Sequence, residues 1–296
     1  MPLVLRFRER TLPFTRGGRD AHCLGERTRV NARRPLARPR MVEAGGSIAP
    51  LNRPIAMTSS MRSLFETAIP RWDERVESWE TVAAAPAFAR LADRVLRDAD
   101  PDAGDRVVDF GAGTGLLALA FAPLVTSVVA IDNSGGMLER LAENARAAAL
   151  TNVETLVCDM RSVPLPDGSA TLIVSNYAFH HLDDAGKQLA LSEARRLLVP
   201  GGRLVICDMM FALSLQARDR QIVLRNLTTI ARRGPSGVMR IARNAARIAT
   251  GTWEKPSPRR DWERFLSDRH FAEINVVELE HEGGLALARR PGAMRG

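Results

Sequence analysis

The sequence predicts an α/β fold, a doubly wound and mostly parallel sheet with helices on both faces. Between about residues 100 and 211, short runs of apolar and β-branched residues alternate with stretches of helical periodicity. This alternation is typical of parallel sheets, because the crossover between two neighbouring parallel strands usually contains a helix. A glycine-rich turn follows the first of these strands, and Pro200-Gly201-Gly202 interrupts the chain before the fifth.

Residues 1–56 differ in composition from the rest of the chain. They contain 12 arginines and four acids, which accounts for the whole net charge of +8. They show no sustained hydrophobic period and lack the apolar stretch of a secretory signal. We therefore expect a disordered or artefactual extension, with Met57 as a suitable later start.

A single domain is expected over residues 57–296. Residues 57–100 predict helices, in which Phe65, Trp72 and Trp79 recur at a spacing of seven. Aromatic residues at this spacing usually belong to a core stripe, and the alternative is that some of them line a substrate pocket.

The remainder divides into three parts. Residues 101–211 form the alternating core, whose five strands are predicted at DRVVDF, SVVAID, NVETLVCD, SATLIVSNY and GGRLVICDMMF. Residues 212–268 predict a helical lid. Residues 269–296 predict a β-hairpin that turns at Glu282-Gly283-Gly284 and completes the sheet.

The segment VVDFGAGTG places Gly111, Gly113 and Gly115 between a strand and a helix. Glycines there let a ligand approach the backbone, and the helix N-terminus offers free N–H groups. A dinucleotide and S-adenosylmethionine both fit such a loop. The dinucleotide pattern requires a glycine where this chain has Leu116, and Asp109 would repel a pyrophosphate. An NAD(P)-dependent oxidoreductase therefore stays an alternative with less support.

Acidic side chains follow the next two strands at their carboxyl ends. Asp132 ends the second strand, 17 residues after Gly115, and its carboxylate can accept both hydrogen bonds of a ribose diol. Asp159 ends the third strand, where it suits an adenine amino group. Because ligands of doubly wound sheets bind at this edge, the sequence predicts a cofactor site here.

These segments resemble the motifs of class I S-adenosylmethionine-dependent methyltransferases. VVDFGAGTG resembles the first motif and VVAIDNS the second, followed in family order by CDM, DGSATLIVSNYAFHHL and LLVPGGRLVICD. The likeness is greatest to the small-molecule group that includes ubiquinone- and menaquinone-biosynthesis methyltransferases, and it covers about residues 100–211. It implies a seven-stranded sheet of order 3-2-1-4-5-7-6 with strand 7 antiparallel.

The resemblance also implies S-adenosylmethionine as the cofactor and gives roles to individual residues. Asp109, Gly111 and Gly113 would contact the methionine moiety. Asn176, after the fourth strand, is expected where the backbone meets the methionine end. Asp132 would contact the ribose, and Asp159 would contact the adenine with Met160 beside the ring. The expected cofactor-binding set is thus Asp109, Gly111, Gly113, Gly115, Asp132, Asp159, Met160 and Asn176.

The segment SNYAFHHLDD would face both cofactor and substrate. His180 and His181 are candidates for a catalytic base, because imidazole titrates near neutral pH; the alternative is that one of them only packs beside the cofactor. Tyr177 and Asp208 are candidates for substrate contacts. The segment lacks the Asn-Pro-Pro-Tyr pattern of amide- and adenine-methylating relatives, which argues against nucleic acid and protein glutamine as substrates.

The segment 212–260 is basic, with ten arginines and Lys255 against two acids. One face of a predicted helix collects Val238, Ile241, Ala245 and Ile248. We expect a lid helix that packs this face on the core; peripheral contact with an anionic membrane is the open alternative. RNA binding is disfavoured, because Trp253 is the one aromatic residue available for stacking.

The expected activity is methyl transfer to a small, lipophilic molecule through an oxygen, nitrogen or carbon atom. A protein that keeps the cofactor pocket without transfer activity is an alternative. No metal site is expected, since the three cysteines, Cys23, Cys158 and Cys207, lack metal spacing and are typical of reduced thiols in the cytoplasm. No apolar run is long enough for a membrane-spanning helix. The oligomeric state stays open.

Overall fold

The computed structural model describes residues 72–292 except 84, 85, 213, 215, 233, 251, 252, 280 and 281. The predicted extension at 1–56, Phe65 and Cys23 lie outside the described residues. Within them, no helix is long and apolar enough to cross a bilayer.

Seven strands form one sheet of order β3-β2-β1-β4-β5-β7-β6. The strands are β1 Arg106–Phe110, β2 Ser127–Asp132, β3 Val153–Val157, β4 Ala170–Asn176, β5 Leu198–Met209, β6 Ala272–Glu278 and β7 Gly283–Arg289. Strands β1 to β5 pair in parallel, whereas β7 is antiparallel to both β5 and β6. The predicted fold class and strand order are confirmed.

Helices connect and flank these strands. They are α1 Val76–Ala83, α2 Pro86–Ala99, α3 Ala118–Phe121, α4 Gly135–Ala147, α5 Asp184–Leu197, α6 Ala217–Ala231, α7 Pro235–Ala249 and α8 Arg259–Asp268. Short 3₁₀ turns cover Trp72–Arg75, Ala122–Leu124 and Phe179–His181. Side chains cap two of the helices: the Ser134 hydroxyl accepts from the Met137 N–H, and Asp183 accepts from the Gly186 N–H.

The helix after the glycine loop is shorter than its sequence predicts. The apolar run from Gly115 to Leu124 suggests a continuous helix, but α3 covers only Ala118–Phe121. Gly115 has a φ of 101°, outside the helical region, so the helix begins beyond it. The last turn tightens to 3₁₀ geometry at Ala122–Leu124.

The closing hairpin turns earlier than predicted. Strand β7 already begins at Gly283, so Gly283 and Gly284 belong to the sheet and not to the turn. A Cβ on Gly284 would lie 2.3 Å from the sulfur of Met210. Gly284 is thus required for the close approach of Met210 to the sheet.

Two apolar clusters cover the two faces of the sheet. One contains residues of α5 and α8, among them Leu191, Trp262 and Phe265. The other contains residues of α2, α3 and α4, such as Val95, Phe121 and Leu141. Strands β1, β2 and β4 contribute side chains to both clusters, so the sheet is buried on both faces, as is typical of a parallel α/β core.

Helices α6 and α7 form a pair that we call the basic hairpin. Among the described residues of these two helices, only Asp219 and Ile222 in α6 and Gly237 in α7 are buried. The prediction that the apolar face of α7 packs on the core is wrong. Val238 and Ile248 are exposed, and the half-buried strip consists of Ile241, Asn244 and Arg247.

Candidate active site

A cavity of about 280 Å³ opens at the carboxyl ends of β1, β2 and β4. This is the edge at which parallel strands of doubly wound folds present their ligands. Of the residues predicted for the site, it is lined by Asp109, Gly111, Gly113, Asp132, Asp159, Met160, Asn176, Tyr177 and His181. Gly115, His180 and Asp208 lie behind this wall and do not line the cavity.

The glycine loop is shaped by close backbone approaches. Gly111 has a φ of 71°, and a Cβ there would lie 2.3 Å from the Cβ of Ala178. A Cβ on Gly115 would lie 2.9 Å from Leu141, in the core beneath the loop. Gly111 therefore permits the close approach of Ala178 in the cavity wall, whereas Gly115 permits the loop to pack on the core.

Asp109, at the end of β1, connects the loop to α3. Its carboxylate accepts a hydrogen bond from the Ala118 N–H at 3.0 Å and is almost completely buried. Burial raises its pKa to about 7, and the negative charge of Asp132 adds to the rise. A cationic group in the cavity would stabilise the ionised carboxylate.

Asp132, at the end of β2, joins two turns. One oxygen accepts from the Gly113 N–H at 2.9 Å and the other from the Ser134 N–H at 3.0 Å. Burial raises the pKa of Asp132, and backbone hydrogen bonds from Ser134, Gly113 and Asn133 oppose that rise. Each carboxylate oxygen has further acceptor capacity, so a ribose diol can still bind here.

Asp159 has a partner that the sequence does not reveal. Its carboxylate makes a bidentate ion pair with Arg161, whose Nη2 and Nε lie 2.5–3.0 Å from the two oxygens. Asp159 also accepts from the Arg161 backbone N–H. Both side chains line the cavity, so a polar group bound there would meet a neutral pair and not an isolated carboxylate.

Asn176, the last residue of β4, has an unusual amide. Its Oδ1 is buried and has no hydrogen-bond partner among the described residues. Unpaired buried acceptors are costly, and in binding sites a ligand donor often satisfies them. Together with the two carboxylates at the ends of β1 and β2, this acceptor fits the ammonium and hydroxyl donors of S-adenosylmethionine.

Tyr177 follows Asn176 in a left-handed conformation, with a φ of 54°. Its N–H donates to the Cys207 carbonyl at 2.8 Å, which holds this strained turn in place. Burial raises the pKa of the Tyr177 hydroxyl, so that the group stays protonated and can donate a hydrogen bond.

The two adjacent histidines have different surroundings. His180 is buried, and its Nδ1 lies 2.6 Å from Oδ1 of Asp208. When His180 is neutral and its Nδ1–H donates a hydrogen bond to this carboxylate, Nε2 carries no proton and can accept a hydrogen bond. Next to this pair lies Lys187, buried in α5, whose ammonium donates to the Lys255 carbonyl at 2.6 Å. Burial lowers the pKa of Lys187.

His181 faces the cavity mouth and keeps contact with solvent there. The residue is exposed, and its ring contacts the His180 ring, at 4.0 Å between centroids, and the Trp72 ring, at 5.1 Å. Partial burial of the ring lowers the pKa of His181, and His180, Arg247 and Arg75 add to the effect. The imidazole is therefore neutral at physiological pH.

The N-terminal segment covers the cavity, as the alternative interpretation of its aromatic residues anticipates. Trp72 and Trp79 both line it, and a Cβ on Gly113 would lie 3.1 Å from the indole nitrogen of Trp79. Asp73 fixes the segment to α4 by accepting from the Ser134 hydroxyl at 2.6 Å and the Gly136 N–H at 2.9 Å. These hydrogen bonds lower the pKa of Asp73.

Comparisons with known proteins agree with this geometry. Residues 107–202 match a family described as a methyltransferase domain. An uncharacterized methyltransferase of Geobacillus thermodenitrificans is 32% identical over 171 residues, which is 58% of this chain and 74% of that protein. The demethylmenaquinone methyltransferase of Clavibacter sepedonicus is 37% identical over 108 residues, 36% of this chain and 42% of that protein.

A solved structure shows the same fold. The crystal structure of a SAM-dependent methyltransferase from Aquifex aeolicus superposes with a TM-score of 0.52 at 20% identity. The alignment covers 73% of this chain and 97% of that one. With the sheet order, the glycine loop and these relatives in agreement, the chain belongs to the class I S-adenosylmethionine-dependent methyltransferases.

Proposed function

We propose that this protein transfers a methyl group from S-adenosylmethionine to a small, lipophilic molecule with an acidic hydroxyl group. The observation that carries the proposal is a cavity whose lining combines two kinds of chemical group. The carboxylates of Asp109 and Asp132 line it together with the rings of Trp72, Trp79 and Tyr177. The carboxylates suit a cationic, hydroxyl-bearing cofactor, and the rings suit an apolar acceptor.

When bound, S-adenosylmethionine supplies an electrophilic methyl group on a sulfonium centre. The protein then needs to hold the acceptor atom close to that methyl group and to exclude water. Asp109 and the Asn176 amide would hold the amino-acid end, Asp132 the ribose, and Met160 the edge of the adenine. Trp72 and Trp79 would shield the reacting groups from solvent, since both lie at the cavity wall.

His181 is the proposed catalytic base. It lines the cavity and is neutral, so it can accept a proton as the acceptor atom is methylated. A phenol or a quinol suits this base, because its hydroxyl proton is more acidic than that of an alcohol. His180 is proposed as a positioning residue, because Asp208 fixes its ring and the ring packs against His181.

Binding and turnover are tested separately. Calorimetric titration of the full chain with S-adenosylhomocysteine should show micromolar affinity, whereas NAD should not bind. Turnover of methyl-labelled S-adenosylmethionine is then measured with quinols, lipophilic phenols, lipophilic amines and small polar hydroxy acids. Methylation of the polar acids alone would contradict the proposed acceptor, and binding without any turnover would favour a non-catalytic cofactor-binding protein.

Substitution of the histidines tests their roles. His181→Gln should lower kcat about 10²–10⁴-fold, the range typical of a lost general base, with unchanged affinity for S-adenosylhomocysteine. Asp208→Asn should lower kcat less than His181→Gln does. It should also alter the pH profile of kcat, because it changes which ring nitrogen of His180 carries the proton. If His181→Gln keeps the full kcat with the phenol that the unchanged protein methylates, His181 is not the base.

A further inference from the structure

The basic hairpin turns apolar side chains away from the protein. Val238 and Met239 of α7 are 59% and 60% exposed, and Leu224 of α6 is 54% exposed. In α7 the half-buried strip lies at Ile241, Asn244 and Arg247, three residues apart. The opposite side of the helix therefore faces solvent, and it consists of Val238, Met239, Ala242, Ala245, Ala246 and Ala249.

The charges on the exposed surface of the hairpin are all positive. Five exposed arginines of the hairpin make no ion pair among the described residues; these are Arg220, Arg225, Arg232, Arg240 and Arg243. The one acid between residues 217 and 250 is Asp219. It is buried, and the Ser214 hydroxyl donates to it at 2.5 Å. The surface thus combines exposed apolar groups with an uncompensated positive charge.

We propose that this face of the basic hairpin docks on the surface of an anionic lipid bilayer. An amphipathic helix with arginines beside its apolar face lies in the headgroup region, where apolar side chains reach the acyl boundary and arginines meet lipid phosphates. Contact between two copies through this face would bring like charges together. An RNA partner would need stacking platforms, and residues 217–250 contain no Phe, Tyr or Trp.

The hairpin is connected to the cavity through the segment that follows it. Arg247 of α7 lies 3.4 Å from Glu254, and the next residue, Lys255, lines the cavity. Docking would thus hold the segment that contributes to the cavity wall near the bilayer, which could supply a lipophilic acceptor. Only the supply of an acceptor from the bilayer rests on the proposed function. The docking itself depends only on the exposed face of the basic hairpin.

Flotation of the full chain with vesicles tests the docking. The protein should float with phosphatidylcholine vesicles that contain phosphatidylglycerol and should stay behind with phosphatidylcholine alone. Arg240→Gln with Arg243→Gln should weaken binding roughly 25-fold, since each arginine near an anionic surface contributes about fivefold. Val238→Asp with Met239→Asp should weaken it at least tenfold by removing the inserted apolar groups.

The matched control is Leu189→Asp, an equally exposed apolar residue on α5, which should float like the unchanged protein. Residues 1–56 are present in every variant, so any binding by their arginines is a constant background. The proposal is overturned if the unchanged protein does not float with anionic vesicles, or if both hairpin variants float as it does. It is also overturned if Val238→Asp with Met239→Asp leaves flotation intact but abolishes a dimer seen by sedimentation.

These outcomes are independent of catalysis. Failure to methylate any phenol would remove the proposed acceptor and leave the flotation result unaffected. Conversely, a protein that methylates phenols but does not float would keep its proposed function and lose the docking surface.

Discussion

The sheet around the cavity and the basic hairpin use apolar side chains in opposite ways. In β1, β2 and β4 almost every apolar residue is buried, with Phe110 and Ile131 fully enclosed. In α6 and α7 the apolar residues Leu224, Val238 and Met239 are largely exposed. The difference separates two tasks: the first region holds a cofactor in a fixed geometry, and the second offers a surface to something outside the chain.

The largest expected difference between the regions concerns stability. Leu141→Ala removes a fully buried side chain beneath the glycine loop and should lower the free energy of unfolding by about 2–5 kcal/mol. Leu224→Ala makes the same chemical change on the basic hairpin and should cost less than about 0.5 kcal/mol. Urea denaturation of both variants makes the comparison. Equal losses would mean that the hairpin is packed in solution, against a second copy or another part of the chain.

Cofactor affinity should depend on the sheet and not on exposed charges. Asp132→Ala removes the carboxylate that accepts from Gly113 and Ser134, and it should weaken S-adenosylhomocysteine binding at least about a hundredfold. Asp132→Asn keeps one acceptor oxygen and should lose less. Glu154→Ala, an exposed acid on β3, is the control and should leave the titration unchanged. Unchanged affinity of a folded Asp132→Ala protein would remove the ribose assignment.

The buried Asp109 should make cofactor binding depend on pH. Its pKa is raised to about 7, so lowering the pH from 8 to 6 protonates it and should weaken binding of the ammonium group about tenfold. Asp109→Asn should bind more weakly at pH 8 and show a flat profile between these pH values. Titrations with S-adenosylhomocysteine measure both. A tenfold pH dependence that survives in Asp109→Asn would assign the effect to another group.

The same pKa has a consequence for stability, with a defined sign. The folded-state pKa lies above that of the unfolded chain, so between about pH 4 and 7 the native state binds the extra proton. The contribution of Asp109 to stability therefore falls as the pH rises to about 7 and is constant above it. Asp109→Asn should be more stable than the unchanged protein at pH 8, by roughly 1–4 kcal/mol, in urea denaturation.

The smallest expected effect connects the two regions. The positive charge of Arg247, on the inward strip of α7, helps to lower the pKa of His181. Arg247→Gln should raise that pKa by a few tenths of a unit, a size typical of a partly solvated charge. Arg243→Gln is the control and should leave the pKa unchanged. Histidine NMR titrations distinguish the two, and an equal shift in both variants would indicate a general field of the hairpin.

Much of the fold could be predicted from the sequence because the signals are local and periodic. Strand β2, for example, is a short β-branched run that ends at Asp132, and its neighbours repeat that pattern. The glycine loop was predictable for the same reason, since backbone conformations such as the φ of 71° at Gly111 favour glycine. In both cases the chemistry of a few adjacent residues decides the conformation.

The parts that escaped prediction depend on contacts between distant residues. Asp73 reaches Ser134 across 61 positions, and no periodicity in either segment indicates that contact. Nothing in the residue order shows that His181 faces the cavity while His180 turns to Asp208. The side-chain pair of Asp159 and Arg161 is local, but only the structure shows that the arginine folds back onto the carboxylate.

The orientation of α7 gives the clearest limit of pattern analysis. Its amphipathic sequence predicts a helix packed on the core, and the helix itself is present at Pro235–Ala249. Hydrophobic periodicity identifies an apolar face, but it does not state what covers that face. A helix face that binds an external surface has the same sequence pattern as a face that packs on the protein's own core.

Lys255 is held from both sides where the basic hairpin rejoins the rest of the protein. Its N–H donates to the His180 carbonyl at 2.7 Å, and its carbonyl accepts from the buried Lys187 ammonium. Both hydrogen bonds use the Lys255 backbone, so they tolerate any residue except proline at that position. The segment between Met210 and Lys255 can therefore change in sequence and length while its return point beside His180 stays fixed.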